Sequence, residues 1–159
     1  MILRAGASLD VVDSNGDTPL HDACVFQYSW AHTNQRHIDA RVNVAKFLVY
    51  QGASTNAQNN IGDTPLHIAC KNMFHSRSGN AEDIEVSRFH LEISCFIVEC
   101  SLDDSLSIKN CAGKTPLEVL GQQLLKVRYW GEGFQINNDL MTSTIDKIVE
   151  HIPSLHPLK

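Results

Sequence analysis

The chain has 159 residues, 43% of them apolar and 19% charged, and carries a formal net charge of −5. That balance argues for a folded chain rather than disorder, and the acidic excess without any Lys/Arg run disfavours nucleic acid or an anionic membrane surface as partner. Five cysteines, an odd total with no Cys-x-x-Cys pair, do not describe a disulfide framework. The sequence lacks both an apolar segment of about eighteen residues and a signal-peptide pattern at Met1. It is therefore read as a reduced, cytoplasmic or nuclear protein with no membrane insertion.

Residues Ile2 to Ser8 have the form of a helix end, a Leu-containing turn stopped by a glycine in the left-handed C′ position, and Gln51-Gly52-Ala53-Ser54 repeats that ending. The chain is thus expected to begin inside a structural unit, as part of a longer array. The next stretch reads Asp13-Ser-Asn-Gly16-Asp-Thr18-Pro19-Leu20-His21-Asp-Ala23-Cys24. Asp13 opens a turn, Gly16 supplies a positive φ, Thr18 offers an N-cap hydroxyl, and Pro19 fits the first helical position. A helix is predicted from Pro19 to about Tyr28. A second helix ends at Tyr50, with Ile38, Val42, Ala45 and Val49 at helical spacing and Leu48 on the packed side. Phe26, Tyr28 and Trp30 are expected to cover its flank.

The stretch recurs as Asn59-Asn-Ile-Gly62-Asp-Thr64-Pro65-Leu66-His67-Ile-Ala69-Cys70, 46 residues further on. A helix from Pro65 is expected, then a loop at Ser76–Gly79. An N-cap at Asn80 precedes a helix of roughly five turns on which Ile84, Arg88, Leu91, Cys95 and Val98 form one stripe. Ser101 stands where the earlier endings have Gly. After another 51 residues a looser copy begins with Asn110-Cys-Ala-Gly113-Lys-Thr115-Pro116-Leu117-Glu118, whose Thr-x-x-Glu is a capping box. This helix is predicted to reach Arg128 with Leu117, Leu120, Leu124 and Val127 on one side. Trp130–Gly133 breaks it, and a last helix carries Leu140, Met141, Ile145, Ile148, Val149 and Ile152 before Pro153.

Three copies of a turn, a Thr-Pro-Leu start and a small residue one turn later make an internal repeat. It resembles the ankyrin repeat, whose Thr-Pro-Leu-His-x-Ala signature sits in a unit of about 33 residues. The resemblance implies an all-α solenoid of helix-turn-helix pairs with projecting β-hairpin turns, in one array. Residues 1–12 would end a truncated repeat, 13–58 form the first repeat, 59–109 the second, and 110–159 the third with a C-terminal cap. Spacings longer than the family period imply inserts between helix A and helix B, which partly lengthen helix B.

Catalytic readings are weak. Cys24 and Cys70 each follow a histidine by three residues, but both occupy the small-residue position, and both histidines fall where an imidazole hydrogen-bonds around the cap. Cys95, Cys100, His90 and Cys111 lack zinc spacing, Asp13–Asp17 lacks the final Glu of a calcium loop, and Gly131-Glu-Gly133 lacks the third glycine of a dinucleotide loop. No enzyme activity, metal or cofactor is expected.

What remains is a binding surface. In ankyrin arrays the turn tips and the outer side of helix A line a concave groove, and by position this implies Ser14, Asn15, Asp17, Val25 and Phe26 in the first repeat. The second supplies Asn60, Ile61, Asp63, Lys71 and Asn72. The third supplies Cys111, Ala112, Lys114, Gln122 and Gln123. Acidic Asp17 and Asp63 give way to Lys114, a charge gradient that would orient a partner. The expected function is a monomeric, non-catalytic module that binds another protein or another domain of the same polypeptide. The alternative is the regulatory region of a larger enzyme or channel. Trp30, Phe74, Trp130 and Phe134 are a second candidate surface.

Overall fold

Thr-Pro pairs set where the helices begin. In the computed structural model, which describes residues 8–25, 35–73, 81–101, 105–128 and 146, Thr18 and Thr64 are extended, with φ/ψ of −80/165° and −87/166°. Each threonine hydroxyl accepts the N–H of the histidine three residues on. Helices α1 (Pro19–Cys24) and α3 (Pro65–Asn72) follow. Helix α5 (Pro116–Arg128) starts on the capping box that the sequence predicts: the Glu118 carboxylate accepts the Thr115 N–H at 2.8 Å, and the Thr115 hydroxyl accepts the Glu118 N–H at 3.3 Å. The longer helices α2 (Gln35–Tyr50) and α4 (Ala81–Cys100) alternate with these three. No strand occurs among the described residues.

Helix α1 is shorter than its sequence pattern suggests. It stops at Cys24 instead of near Tyr28 because Val25 turns extended, at φ −90° and ψ 121°. The freed Val25 carbonyl accepts a hydrogen bond from the Arg41 guanidinium on α2, an acceptor that a continuing helix would have used internally. The lengthening of the second helix of each pair is as expected, at 16 and 20 residues for α2 and α4. Ile38, Val42, Ala45 and Leu48 form the buried side of α2. That helix ends in a Schellman motif, with Gly52 at φ +95°, Ala53 N–H donating to the Leu48 carbonyl at 3.0 Å and Gly52 N–H to that of Val49 at 2.9 Å.

The stripe expected on α4 is corrected. Leu91 is buried, but Arg88 is exposed and Cys95 and Val98 are only half-buried. The core side is Val86, Phe89, Ile93 and Ile97, with Phe96. The reason is that α4 packs against α3 on one side and α2 on another, so its buried arc is wider than one stripe and rotated from it. The side chain of Ile84 lies outside the described set, as do those of Leu124 and Val127. Also outside it are residues 2–7, Phe26, Tyr28, Trp30, Phe74, the 76–80 segment, residues 102–104, Trp130 to Phe134 and the predicted last helix apart from Asp146, which is helical.

Helices α1, α3 and α5 lie side by side in one layer, and α2 and α4 make a second layer behind the first two. Leu20, Leu66, Met73, Phe89, Ile93 and Ile97 fill the space between layers, and Ala23, Cys24, Ala69 and Cys70 let the helices approach. In front of the first layer the turns stack so closely that a Cβ on Gly62, whose φ is +75°, would sit 2.7 Å from the Cys111 amide nitrogen. Gly113 has the same left-handed conformation, at φ +71°, but nothing within 4 Å of such an atom. Denaturant titration should therefore find Gly62→Ala destabilising by about 2–4 kcal/mol and Gly113→Ala by only about 1 kcal/mol, the cost of the dihedral alone.

Candidate functional site

The exposed row that could meet a partner is built from three identical turns. In each, the first residue folds its side chain over the turn: Asp13 Oδ1 accepts the N–H groups of Asn15 and Asp17 at 2.8 and 2.9 Å. Asn59 Oδ1 does the same for Ile61 and Asp63, at 3.1 and 2.9 Å, and Asn110 Oδ1 for Ala112 and Lys114, at 3.0 and 3.1 Å. These are Asx turns, and they fix which residues become the tips.

Neighbouring turns are then bonded to one another. The Asn60 N–H donates to the Asn15 carbonyl at 2.9 Å, and the Cys111 N–H to that of Ile61 at 3.0 Å. The Asn59 amide donates to the Asp17 carboxylate at 2.7 Å, and the Asn110 amide to that of Asp63 at 2.8 Å. Behind this ladder each histidine bridges two repeats. His21 Nδ1 lies 3.0 Å from the Thr18 backbone nitrogen, whose N–H must donate, so the proton is on Nε2, which donates to the Asp63 carbonyl at 2.9 Å. His67 repeats the arrangement with Thr64 and the Lys114 carbonyl, at 3.1 and 2.9 Å. The sequence reading placed these rings at the cap but missed that they reach the next turn, over a separation of more than forty residues. The two copies of Thr-Pro-Leu-His are the only signal that could have suggested it.

The predicted contact residues differ in exposure. Ser14, Asn15, Asn60, Ala112, Lys71 and Gln122 are exposed, and Ile61, at 53%, is an exposed apolar side chain on the middle tip. Asp17, Asn72 and Lys114 are half-buried. Asp63 is only 3% exposed, with its carboxylate on the Asn110 amide and 3.7 Å from Lys71 Nζ, so its charge holds the stack together. Phe26 lies outside the described residues.

Charge nevertheless differs along the row. The Asp22 carboxyl is raised above its ordinary value first by burial and then by the neighbouring Asp13 and Asp17. At the other end the Glu118 carboxyl is lowered, first by the Thr115 hydrogen bond and further by Lys109 and Lys114. Behind the row, between α2 and α4, an open groove of about 450 Å³ is lined by both signs of charge over Phe96, with Lys46 and Glu92 paired at 2.8 Å.

The thiols of Cys24 and Cys70 are packing groups. Cys24 and Cys70 are fully buried, and burial pushes both up, Cys70 to about 12, leaving no thiolate near neutral pH. Among the described residues no group of three or more His, Cys, Asp or Glu side chains could hold a metal ion, and no helix is long and apolar enough to cross a membrane.

Two measurements check this account. Alkylation of the native chain should modify exposed Cys111 and spare Cys24 and Cys70 until the protein unfolds. A carboxyl lowered in the folded state adds stability above its unfolded value and loses it as pH falls through the folded one, so the NMR titration midpoint of Glu118 should lie below the ordinary value of about 4.3.

Comparison with known proteins agrees with the geometry. No curated protein matches the chain. A family model described as ankyrin repeat matches residues 15–60, from the tip of the first turn to that of the second. Proteins built from this repeat are generally protein–protein interaction modules and typically non-catalytic. Residues 15–60 are thus an ankyrin repeat, and the same turn, cap and bridging histidine recur after Asn59.

Proposed function

We propose that this chain is a non-catalytic interaction module that holds a segment of another protein, or of another domain of the same polypeptide, against its concave face. The observation that carries the reading is the bonded register of the three turns, which presents Ser14 and Asn15, Asn60 and Ile61, and Cys111 and Ala112 as one row with fixed spacing. A rigid row lowers the ordering cost of binding, and an exposed apolar residue at its centre, Ile61, is the natural anchor. Lys71 and Gln122, both exposed, extend the surface onto the first-layer helices α3 and α5. The half-buried Asp17, Asn72 and Lys114 rim it, and Phe26 belongs to it by repeat position.

The acidic group around Asp22 and the basic group around Lys114 give the row a direction, so a bound segment should run with its basic end over the first repeat and its acidic end over the third. Asp63 contributes by fixing the turns.

The test is affinity capture with the chain and with an Ile61→Asp variant, whose site is exposed. Helicity and melting should be unchanged while the captured protein is lost by at least about tenfold, a difference of ~1.4 kcal/mol. Undiminished capture by the variant would refute the assignment.

A further inference from the structure

The sequence contains a single Asn-Gly pair, Asn15-Gly16, and the structure sets it at the tip of the first turn. Asparagine before glycine is open to attack by the following backbone nitrogen on its own side-chain carbonyl carbon, because glycine has no Cβ to crowd the approach. The stack requires the glycine. Its φ is +76°, and a Cβ on it would lie 2.6 Å from Asn60 Oδ1 and 2.8 Å from the Asn60 backbone nitrogen. The asparagine is not required, since Ile61 and Ala112 stand at the same place in the other turns and keep the same backbone bond.

Four hydrogen bonds hold the pair. The Asn15 N–H donates to Asp13 Oδ1 at 2.8 Å, the Gly16 N–H donates to the Asp13 carbonyl at 3.0 Å, and the Asn15 carbonyl accepts the Asn60 N–H at 2.9 Å. The Asn15 side-chain amide donates to Asp13 Oδ2 at 3.2 Å. Two of these oppose the reaction directly. The Gly16 N–H must leave its acceptor and lose its proton before the nitrogen can attack, and the Asn15 amide must turn away from Asp13 to meet it. Asn15 is exposed, so water reaches the site.

We propose that Asn15 is a site of spontaneous deamidation gated by Asp13. The Gly16 nitrogen gives its proton to solvent base and bonds to Asn15 Cγ; the Cγ–Nδ2 bond breaks, and ammonia leaves after taking a proton from water. The product is a cyclic imide. Water then adds to either ring carbonyl and opens it to aspartate or to isoaspartate. Aspartate keeps the main chain but sets a second carboxylate where Asp13 Oδ2 had a donor. Isoaspartate routes the main chain through the former side chain, which adds a carbon before Gly16 and turns the old backbone carbonyl into a free carboxylate. The acceptor of the Asn60 N–H then leaves its register, as does the Ser14 carbonyl that accepts the Asn60 side-chain amide at 3.0 Å. The first turn unhooks from the second, whereas the bond from the Cys111 N–H to the Ile61 carbonyl stays. The change is slow, one-way and independent of what the row binds.

Prolonged incubation of residues 1–159 in warm neutral buffer, followed by peptide mass mapping and enzymatic methylation of isoaspartate, tests this. Asn15 should convert first among the asparagines, and faster as pH rises, because the attacking nitrogen must be deprotonated. Asp13→Asn keeps the Oδ1 acceptor that Asn59 and Asn110 use to close their turns but replaces Oδ2 with a donor, so the Asn15 amide is released. Conversion in that variant should be at least about threefold faster, the effect on a rate of one ordinary hydrogen bond. Asn15→Ala should show no methylation at this turn and the same melting temperature before and after incubation. Wild type that has formed isoaspartate at this position should melt lower than fresh protein. An Asn15 that stays intact, whether or not another asparagine converts, would overturn the proposal. So would an Asp13→Asn variant no faster than wild type, or aged wild type that carries isoaspartate and melts as fresh protein does.

Discussion

Two buried imidazoles join local structure to tertiary structure in this protein. Each of His21 and His67 takes the backbone N–H of the threonine that caps its own helix on one ring nitrogen, and gives the proton on the other to a carbonyl of the next turn. A helix start and a repeat junction are thus satisfied by one side chain with a fixed tautomer. Both rings are fully buried, so each lost bond would leave a polar group without water, at a cost of about 1–3 kcal/mol. A glutamine or glutamate at this position can cap its helix, as Glu118 does, but its reach ends there. The ring is long and rigid enough to serve both purposes.

The same economy explains the acidic turns. Asp17 and Asp63 read in the sequence as surface charge, yet each accepts an asparagine amide from the following turn, and Asp63 is almost wholly enclosed. Lys71, 3.7 Å away, offsets the enclosed charge from the exposed side. The turn row is consequently a hydrogen-bonded ribbon held in front of the first-layer helices, without a regular sheet among the described residues. Its rigidity comes from repeated short-range closures rather than from an apolar core of its own.

Behind that ribbon, the long second helices change what the repeat usually offers. Helix α4, at 20 residues roughly 30 Å long, has more surface than α3 alone could cover, and α2 packs along it. Tyr50 meets Phe96 edge-on at 5.6 Å, and Lys46 stands over the same ring. The additional residues thus lengthen the packed layer and carry charged side chains on its outer side, which separates them from the turn tips on the opposite side of the molecule.

Local chemistry alone determined the helix starts, the turns and the repeat. Thr-Pro, the Asx residue and the positive-φ glycine act within a few residues, so Asp13–Cys24, Asn59–Cys70 and Asn110–Glu118 announce their own conformations. The small positions Cys24 and Cys70 were likewise legible, because the repeat puts them one turn after the cap. What only the tertiary structure decided were the properties that depend on a partner beyond the local turn or cap. Helix α1 ends early because Arg41 takes the Val25 carbonyl, the buried side of α4 is rotated because two helices share it, and Asp63 is enclosed because Asn110 and Lys71 come to it. A sequence read in one dimension shows which groups can bond; the stacking of one repeat on the next selects the partner each receives, and hence which charges remain for a ligand.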